Sequence, residues 1–568
     1  MFRTLCACAL LAGALAQAAR GDGEDSSNPV AVTPAGTIRG SWMSTRRGRR
    51  FQAYRGVRYA HPPTGELRFQ PPKPILQYDG AVDASEEGPA CPQPVYRAGF
   101  VVDEDCLRLN VYTPSNNGSL PVVVFLHPGG FYSGSGRSDV VGPHYLLERD
   151  LVLVTVEYRL GTLGFLATGD ELSPGNNGFK DQVAALRWVR RNIAALGGDP
   201  GRVTLAGYSA GSRSVALMLL SPMARGLFHR AISMSASPIS QVVVVGSGQR
   251  HLAERQARLL GCPTNTTRDI VSCLKTKPWK EFGDSLNSMY EFGYDPVLLW
   301  NVVVEPDYGQ ERFLTEPPLA ALRAGRLQAV PYLVGRNTGE FFWKAFNVLN
   351  NQTLYSAMST EWERVAPVSF MLPEGGQEEH GAGGPVSAAV AARRLRDAYF
   401  SAPFTNDSST ADALGKLYAD SIIGFAVHRM ANLMCRHSPQ SVFYYQFSYM
   451  GNHSFYKDPA TGNPVGVAHH DELIYLFTLP SRFPRIELGS PDDAIIQRMT
   501  AFWYNFAIHG DPAAGPSGST PDGACAVWPA MTPRRPRYLR VARDCSLHQH
   551  MFRERYQVWD DLYPIQYD

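Results

Sequence analysis

The sequence predicts an α/β protein built on a large, mostly parallel central sheet flanked by helices on both faces. Five stretches between Pro121 and Ser235 carry that prediction. Residues 122–126 and 151–156 are dense in Val and Leu, as strands buried on both faces must be. Between residues 181 and 196, Val183, Leu186, Val189, Ile193 and Leu196 recur at helical spacing. Arg187, Arg190 and Arg191 interrupt them and fit a solvated face. Gly197-Gly198-Asp199-Pro200 then stops the helix. Residues 203–206 read as another short strand, and a further helix starts from Ser209. Alternation of strand and helix is the pattern of a parallel sheet covered on both sides.

At 568 residues and 44% hydrophobic, the chain is long enough for a large buried core. A balance of 54 basic against 52 acidic residues, formally +2, argues against nucleic acid as the main partner. Residues 1–18 read as a signal peptide. Arg3 gives a positive start, residues 5–15 are apolar, and Ala16-Gln17-Ala18 offers a small-x-small cleavage site. That run is too short to span a bilayer, and no later run is long enough, so no membrane anchor is expected. The expected location is secreted and extracellular.

Loss of the leader removes Cys6 and Cys8 and leaves seven cysteines, which allows three bridges and one leftover thiol. Cys91/Cys106 and Cys262/Cys273 are the near pairs suited to loop closure. Spacing does not choose among Cys435, Cys525 and Cys545. Asn117, Asn265, Asn351, Asn406 and Asn452 each begin an N-x-Ser/Thr sequon, as suits a secreted glycoprotein. The Gly-rich, charged stretch 373–385 reads as a surface loop. The basic run Arg46-Arg47-Gly48-Arg49-Arg50 lies between short extended segments and reads as an exposed hairpin turn.

The chemistry starts at Gly207-Tyr208-Ser209-Ala210-Gly211. A G-x-S-x-G pattern between a β-rich run and a helix is a strained turn that exposes the serine and needs small flanking residues. A serine hydroxyl is a poor nucleophile until a base takes its proton. His469 stands far downstream, after the loop 462–466 and before the apolar stretch 473–477. Its neighbour His470 competes, and spacing does not decide between them. The acid that orients the base should lie between serine and histidine in the chain. Glu340, after the strand-like 332–334 and the turn 335–339, fits, although other carboxylates occupy the same interval. His127-Pro128-Gly129-Gly130 directly follows the strand 122–126. The amides of Gly129 and Gly130, with that of Ala210, are natural donors to a substrate oxyanion. Each motif lies past the carboxyl end of a strand, where open α/β sheets place their sites.

On these motifs the sequence resembles the type-B carboxylesterase and cholinesterase family of α/β-hydrolases over residues 29–563. Further motifs in order are Arg55-Gly56-Val57-Arg58-Tyr59-Ala60 with Pro62-Pro63 and Arg68-Phe69, then Glu104-Asp105-Cys106-Leu107 before Leu109-Asn110-Val111-Tyr112. Asn177-Gly178 precedes Asp181-Gln182. The resemblance implies Ser209, Glu340 and His469 as catalytic residues, with His469 rather than His470 as base. It also implies Ser235 supporting them from behind, bridges Cys91–Cys106 and Cys262–Cys273, and an Arg68–Glu104 ion pair. It implies a small-molecule ester as substrate, and no metal or organic cofactor.

Departures narrow the substrate. The family's usual His-Gly-Gly-Gly has Pro128 at its second place here, which removes one N–H but not those of Gly129 and Gly130. Cholinesterases carry glutamate before the nucleophile, where this chain has Tyr208, and a tryptophan in the first disulfide loop, where it has none. A quaternary ammonium would lose both a charge partner and an aromatic face. Juvenile-hormone esterases typically carry glutamine at the Tyr208 position. The expected activity is hydrolysis of small to medium nonpolar esters through an acyl-enzyme. The rival expectation is a non-catalytic adhesion or ligand-binding relative.

Overall fold

The computed structural model describes residues 28–95, 97–242, 249–373, 386–458, 461–515, 525 and 527–568. The leader 1–18 lies outside the described residues, as does the loop stretch 374–385. In chain order the strands are β1 (Val30–Thr33), β2 (Gly36–Arg39), β3 (Ser41–Ser44), β4 (Arg50–Arg58), β5 (Val82–Asp83), β6 (Arg108–Thr113) and β7 (Leu120–Leu126). They continue as β8 (Val152–Val156), β9 (Gly198–Tyr208), β10 (Arg230–Met234), β11 (Tyr332–Asn337), β12 (Val442–Phe447), β13 (Arg537–Val541) and β14 (Ser546–Gln549). The eleven-stranded main sheet has the order β14-β13-β12-β11-β10-β9-β7-β8-β6-β4-β3, and β1, β2 and β5 form a small separate sheet. From β8 through β7 and β9 to β13 every pairing is parallel. The pairings at the two margins are antiparallel.

Period-two alternation distributes each central strand between two cores. Val122, Val124 and Leu126 of β7 pack in one hydrophobic cluster, while Val123 and Phe125 pack in the other. In β8, Val152, Val154 and Val156 face the first and Leu153 the second. The helix Asn177–Asn192 closes the first core with Phe179, Val183, Leu186 and Val189. The helix Pro491–His509 closes the second with Ile496, Met499, Phe502, Trp503 and Phe506. That is why β7 from Val122 and β8 are apolar at every position but Thr155.

The described elements adjust several expected boundaries. The helix expected at 181–196 begins at Asn177 and ends at Asn192, then tightens into a 3₁₀ turn over Ile193–Leu196 before Gly197 at φ +78°. The turn expected at 335–339 begins later, because β11 continues to Asn337 and pairs Gly335 with Tyr445 of β12. Residues 46–50 do join β3 to β4 as a hairpin, but Arg46 is not exposed. Its side chain is enclosed between Glu148 (2.6 Å) and Asp493 (2.6 Å). Arg47 also reaches Glu148 (3.0 Å), and Arg49 reaches Asp150 (2.5 Å). Acidic side chains remote in sequence therefore neutralise most of the basic run.

Disulfides join Cys91–Cys106, Cys262–Cys273 and Cys525–Cys545, and Cys435 is a free thiol. The third pair was the choice that spacing had left open. Arg68 grips Glu104 with two bonds of 2.6 Å in a buried fork. No helix among the described residues is long and apolar enough to cross a membrane.

Candidate active site

Ser209 stands on a strained backbone between a strand and a helix. β9 ends at Tyr208, the helix Ala210–Met218 begins one residue later, and Ser209 between them sits at φ +54°, ψ −118°. This conformation is rare for any residue with a Cβ. The turn is so tight that a Cβ built on Gly211 would overlap the Leu126 carbonyl at the end of β7. The Ser209 N–H is held by the Met234 carbonyl of β10 at 2.8 Å. Positive φ also occurs at Phe131, Ser235, Phe341 and His470. Each of these residues borders or belongs to the same site.

The structure brings His469, not His470, to Ser209. His469 Nε2 lies 2.9 Å from Ser209 Oγ, and its Nδ1 lies 2.5 Å from Glu340 Oε2. A carboxylate oxygen only accepts, so Nδ1 carries the proton and Nε2 is left to accept from the serine hydroxyl. The His470 ring packs against Tyr208 (5.2 Å) and Phe455 (5.2 Å) instead. Burial, with the adjacent His469 and Arg482, holds its pKa well below the usual histidine value. Phe341 covers the His469 ring at 4.3 Å between centroids.

Glu340 is fully buried behind the histidine. Its Oε1 accepts from Ser235 Oγ (2.5 Å) and from the Asn337 N–H (2.7 Å). Burial opposes its charge, but His469, Arg336 and Ser235 outweigh that and lower its pKa. Two further buried carboxyls stand nearby. Burial raises Glu472 to about 8, although Tyr445 donates to it at 2.8 Å. Burial likewise raises Asp471 to about 7, and Glu340 adds to both shifts. The negative charge of the cluster is thereby concentrated on the carboxyl that faces His469.

The loop 127–130 leaves β7 beside the serine turn, since Leu126 pairs with Gly207. Gly129 has φ +128°, and a Cβ there would overlap the Ser133 carbonyl. The N–H groups of Gly129, Gly130 and Ala210 donate to no protein acceptor among the described residues. Pro128 leaves this loop braced. The Tyr158 hydroxyl donates to the His127 carbonyl at 2.8 Å, and its ring stacks on His127 at 4.3 Å. The His127 ring, which burial holds at about 4 and therefore neutral, meets the Pro128 carbonyl at 2.8 Å.

Sequence reasoning missed the supports of the histidine loop. Asp471 accepts from the Phe455 N–H (2.8 Å), Ser454 Oγ (2.8 Å) and the Ala468 N–H (2.9 Å). The Tyr208 hydroxyl accepts from the His470 N–H at 2.7 Å and from Asn337 Nδ2 at 3.3 Å. Asn337 Nδ2 also reaches the Ala468 carbonyl at 2.6 Å. The signal available for Asp471 was its place two residues after His469. Nothing local marked Tyr208 or Asn337, whose roles depend on tertiary neighbours.

Two sizeable cavities occur among the described residues. The larger, of about 560 Å³, is lined by residues such as Tyr290, Asp295 and Lys344 and touches none of the groups above. The smaller, of about 480 Å³, includes Gly129 and His470 and belongs with the site. Among the described residues no cluster of His, Cys, Asp and Glu could hold a metal ion.

A strained serine, an imidazole and a buried carboxylate in series, set at the carboxyl edge of a parallel sheet, define an α/β-hydrolase with a serine–histidine–glutamate arrangement. The chain belongs to the carboxylesterase family, whose model matches residues 27–559. It is 33% identical to a juvenile hormone esterase of Tribolium castaneum, covering 86% of this chain and 84% of that protein. It is 32% identical to carboxylesterase 1E of Mus musculus, covering 98% of each. A crystal structure of juvenile hormone esterase from Manduca sexta, with OTFP covalently attached, superposes with a TM-score of 0.82 at 26% identity. That match covers 95% of this chain and 100% of the other. The protein is a carboxylic ester hydrolase.

Proposed function

We propose that the protein is a secreted serine esterase that cleaves small to medium nonpolar esters through an acyl-enzyme. The relay from Ser209 through His469 to Glu340, with separations of 2.9 and 2.5 Å, carries the reading. His469 Nε2 takes the serine proton as Oγ attacks the ester carbonyl, and Glu340 stabilises the imidazolium that forms. The amides of Gly129, Gly130 and Ala210 receive the oxyanion. The loss of one such donor typically costs about 3 kcal/mol in the transition state. The imidazolium then protonates the leaving alcohol, and water activated by the same base releases the acid. Ser235 keeps the Glu340 carboxylate oriented.

The relatives include juvenile hormone esterase and venom carboxylesterase-6, and a hormone, lipid, odorant or foreign ester fits the same chemistry. The test is turnover of p-nitrophenyl acetate and butyrate by the full chain beside Ser209→Ala. The substitution should remove at least about 10⁴-fold of kcat with the fold intact. Equal turnover by the two proteins would exclude Ser209 as nucleophile.

Secretion and glycosylation rest on the leader motif and on the five sequon asparagines, Asn117, Asn265, Asn351, Asn406 and Asn452, all of which are exposed. Expression in eukaryotic cells should deliver the protein to the medium with a mass that falls on N-glycosidase treatment. Retention in the cell without glycan would refute this.

A further inference from the structure

The smaller cavity says what the site accepts, given the esterase reading above. Its walls are largely apolar, with Val140, Val141, Phe455 and Leu473 among them, as a pocket for a nonpolar ligand should be. Among the described residues its charged lining is one-signed: Arg97 and Arg482 are present and no carboxylate is. Arg97 is held by Asp139 at 2.6 Å, which also binds Arg137 at 3.0 Å, so these three side chains retain one positive charge. Arg482 is exposed and has no acidic partner among the described residues. Its charge reaches inward, since beside burial it helps to lower the pKa of His470, and it partly offsets the burial that raises that of Tyr456; both residues line the cavity.

The cavity lies beside the His469 imidazole, since the His470 ring in its wall is 4.3 Å from that of His469, while Gly129 of the oxyanion loop lines another part of the wall. The leaving oxygen must face His469 Nε2 to be protonated, so the group attached to that oxygen enters here. We propose that Arg482, with Arg97, selects esters whose alcohol half is an apolar chain ending in an anionic group such as a carboxylate. The reaction itself is unchanged. The bond between acyl carbon and alkoxy oxygen breaks, the alkoxide leaves with the histidine proton, and water supplies hydroxyl to the acyl group.

The test compares kcat/KM for butyrate esters of hexanol, ω-hydroxyhexanoate and ω-trimethylammoniohexanol. The parent should prefer the carboxylate ester to the neutral one by about two- to fivefold, the worth of a solvent-exposed ion pair. That advantage should shrink as salt shortens the screening length. Arg482→Glu should invert the order of the two charged esters, read as the ratio of their kcat/KM values, with hexyl butyrate falling between them. Arg97→Gln should weaken the preference further without inverting it. Equal parent rates on the two charged esters, or an Arg482→Glu effect common to all three, would overturn the proposal while leaving the esterase intact. Absence of hexyl butyrate turnover by the parent would count against the esterase reading itself.

Discussion

The serine turn and the histidine loop meet within hydrogen-bonding distance, yet they are held by different physics. Ser209 is positioned by steric exclusion: a left-handed backbone, no room for a Cβ at Gly211, and two strands fixing the approach. His469 is positioned by polar satisfaction: Asp471, Tyr208 and Asn337 bind the peptide groups on either side of it. Exclusion tolerates no substituent and depends on almost no side-chain chemistry. Satisfaction depends on side-chain chemistry and can be weakened one bond at a time. The serine side should therefore fail abruptly and the histidine side by degrees.

The largest effect is expected from Gly211→Ala. The new methyl would meet the Leu126 carbonyl, and since that oxygen belongs to a central strand the clash cannot be relieved locally. Loss of the native thermal transition, or of more than about 3 kcal/mol of stability, together with loss of turnover is the expected outcome. A stable, active variant would show that the elbow is looser than the comparison requires. Asp471→Asn should do less. It replaces an acceptor of three hydrogen bonds by a group that can satisfy only some of them. A loss of about 1–3 kcal/mol is expected, with a fall in kcat and a folded protein. A fall as abrupt as that of Gly211→Ala, measured by the same unfolding and turnover assays, would erase the distinction.

An effect of similar size to the second concerns pH. Glu472 has a folded pKa raised to about 8 from an ordinary 4.5, so between those values the folded state holds a proton that the unfolded state releases. Its contribution to stability is present below about pH 4.5 and declines by about 1.4 kcal/mol per pH unit towards 8. Glu340, whose pKa is lowered, acts in the opposite sense: its contribution is present above its unfolded pKa and is lost as acid protonates it. Glu472→Gln should therefore flatten the decline in unfolding free energy between pH 5 and 7, as read by urea melts. An unchanged slope would mean that Glu472 is already ionised in the folded protein.

The same contrast explains what the sequence disclosed. Steric devices leave compositional marks, because only glycine answers the demand made at Gly211 or Gly129. The G-x-S-x-G turn and the His-Pro-Gly-Gly loop were legible for that reason. The strands 122–126 and 151–156 were legible because burial on two faces demands a nearly continuous apolar run, broken only by Thr155. Polar support leaves no such mark. The roles of Tyr208, Asn337 and Asp471 arise when β9, β11 and the 468–471 loop converge, and each residue type is commonplace elsewhere. Spacing alone had left His469 and His470 level. Their difference is the positive φ of His470, which turns its ring towards Phe455, and that depends on tertiary packing. Arg46 shows the converse, since its run of like charges gave no hint of Glu148 and Asp493 waiting across the fold.

The three disulfides have one trait in common, which matters while the chain is being made. Their partners are separated by only 15, 11 and 20 residues. At about 5–20 residues per second of synthesis, both thiols of each pair would emerge within a few seconds of each other. In an oxidising compartment each bridge can therefore close before the next pair appears. Cys435, which emerges between the second and third pairs, meets the already paired Cys262 and Cys273 behind it and no new thiol until Cys525. Correct pairing is then largely a matter of order of arrival.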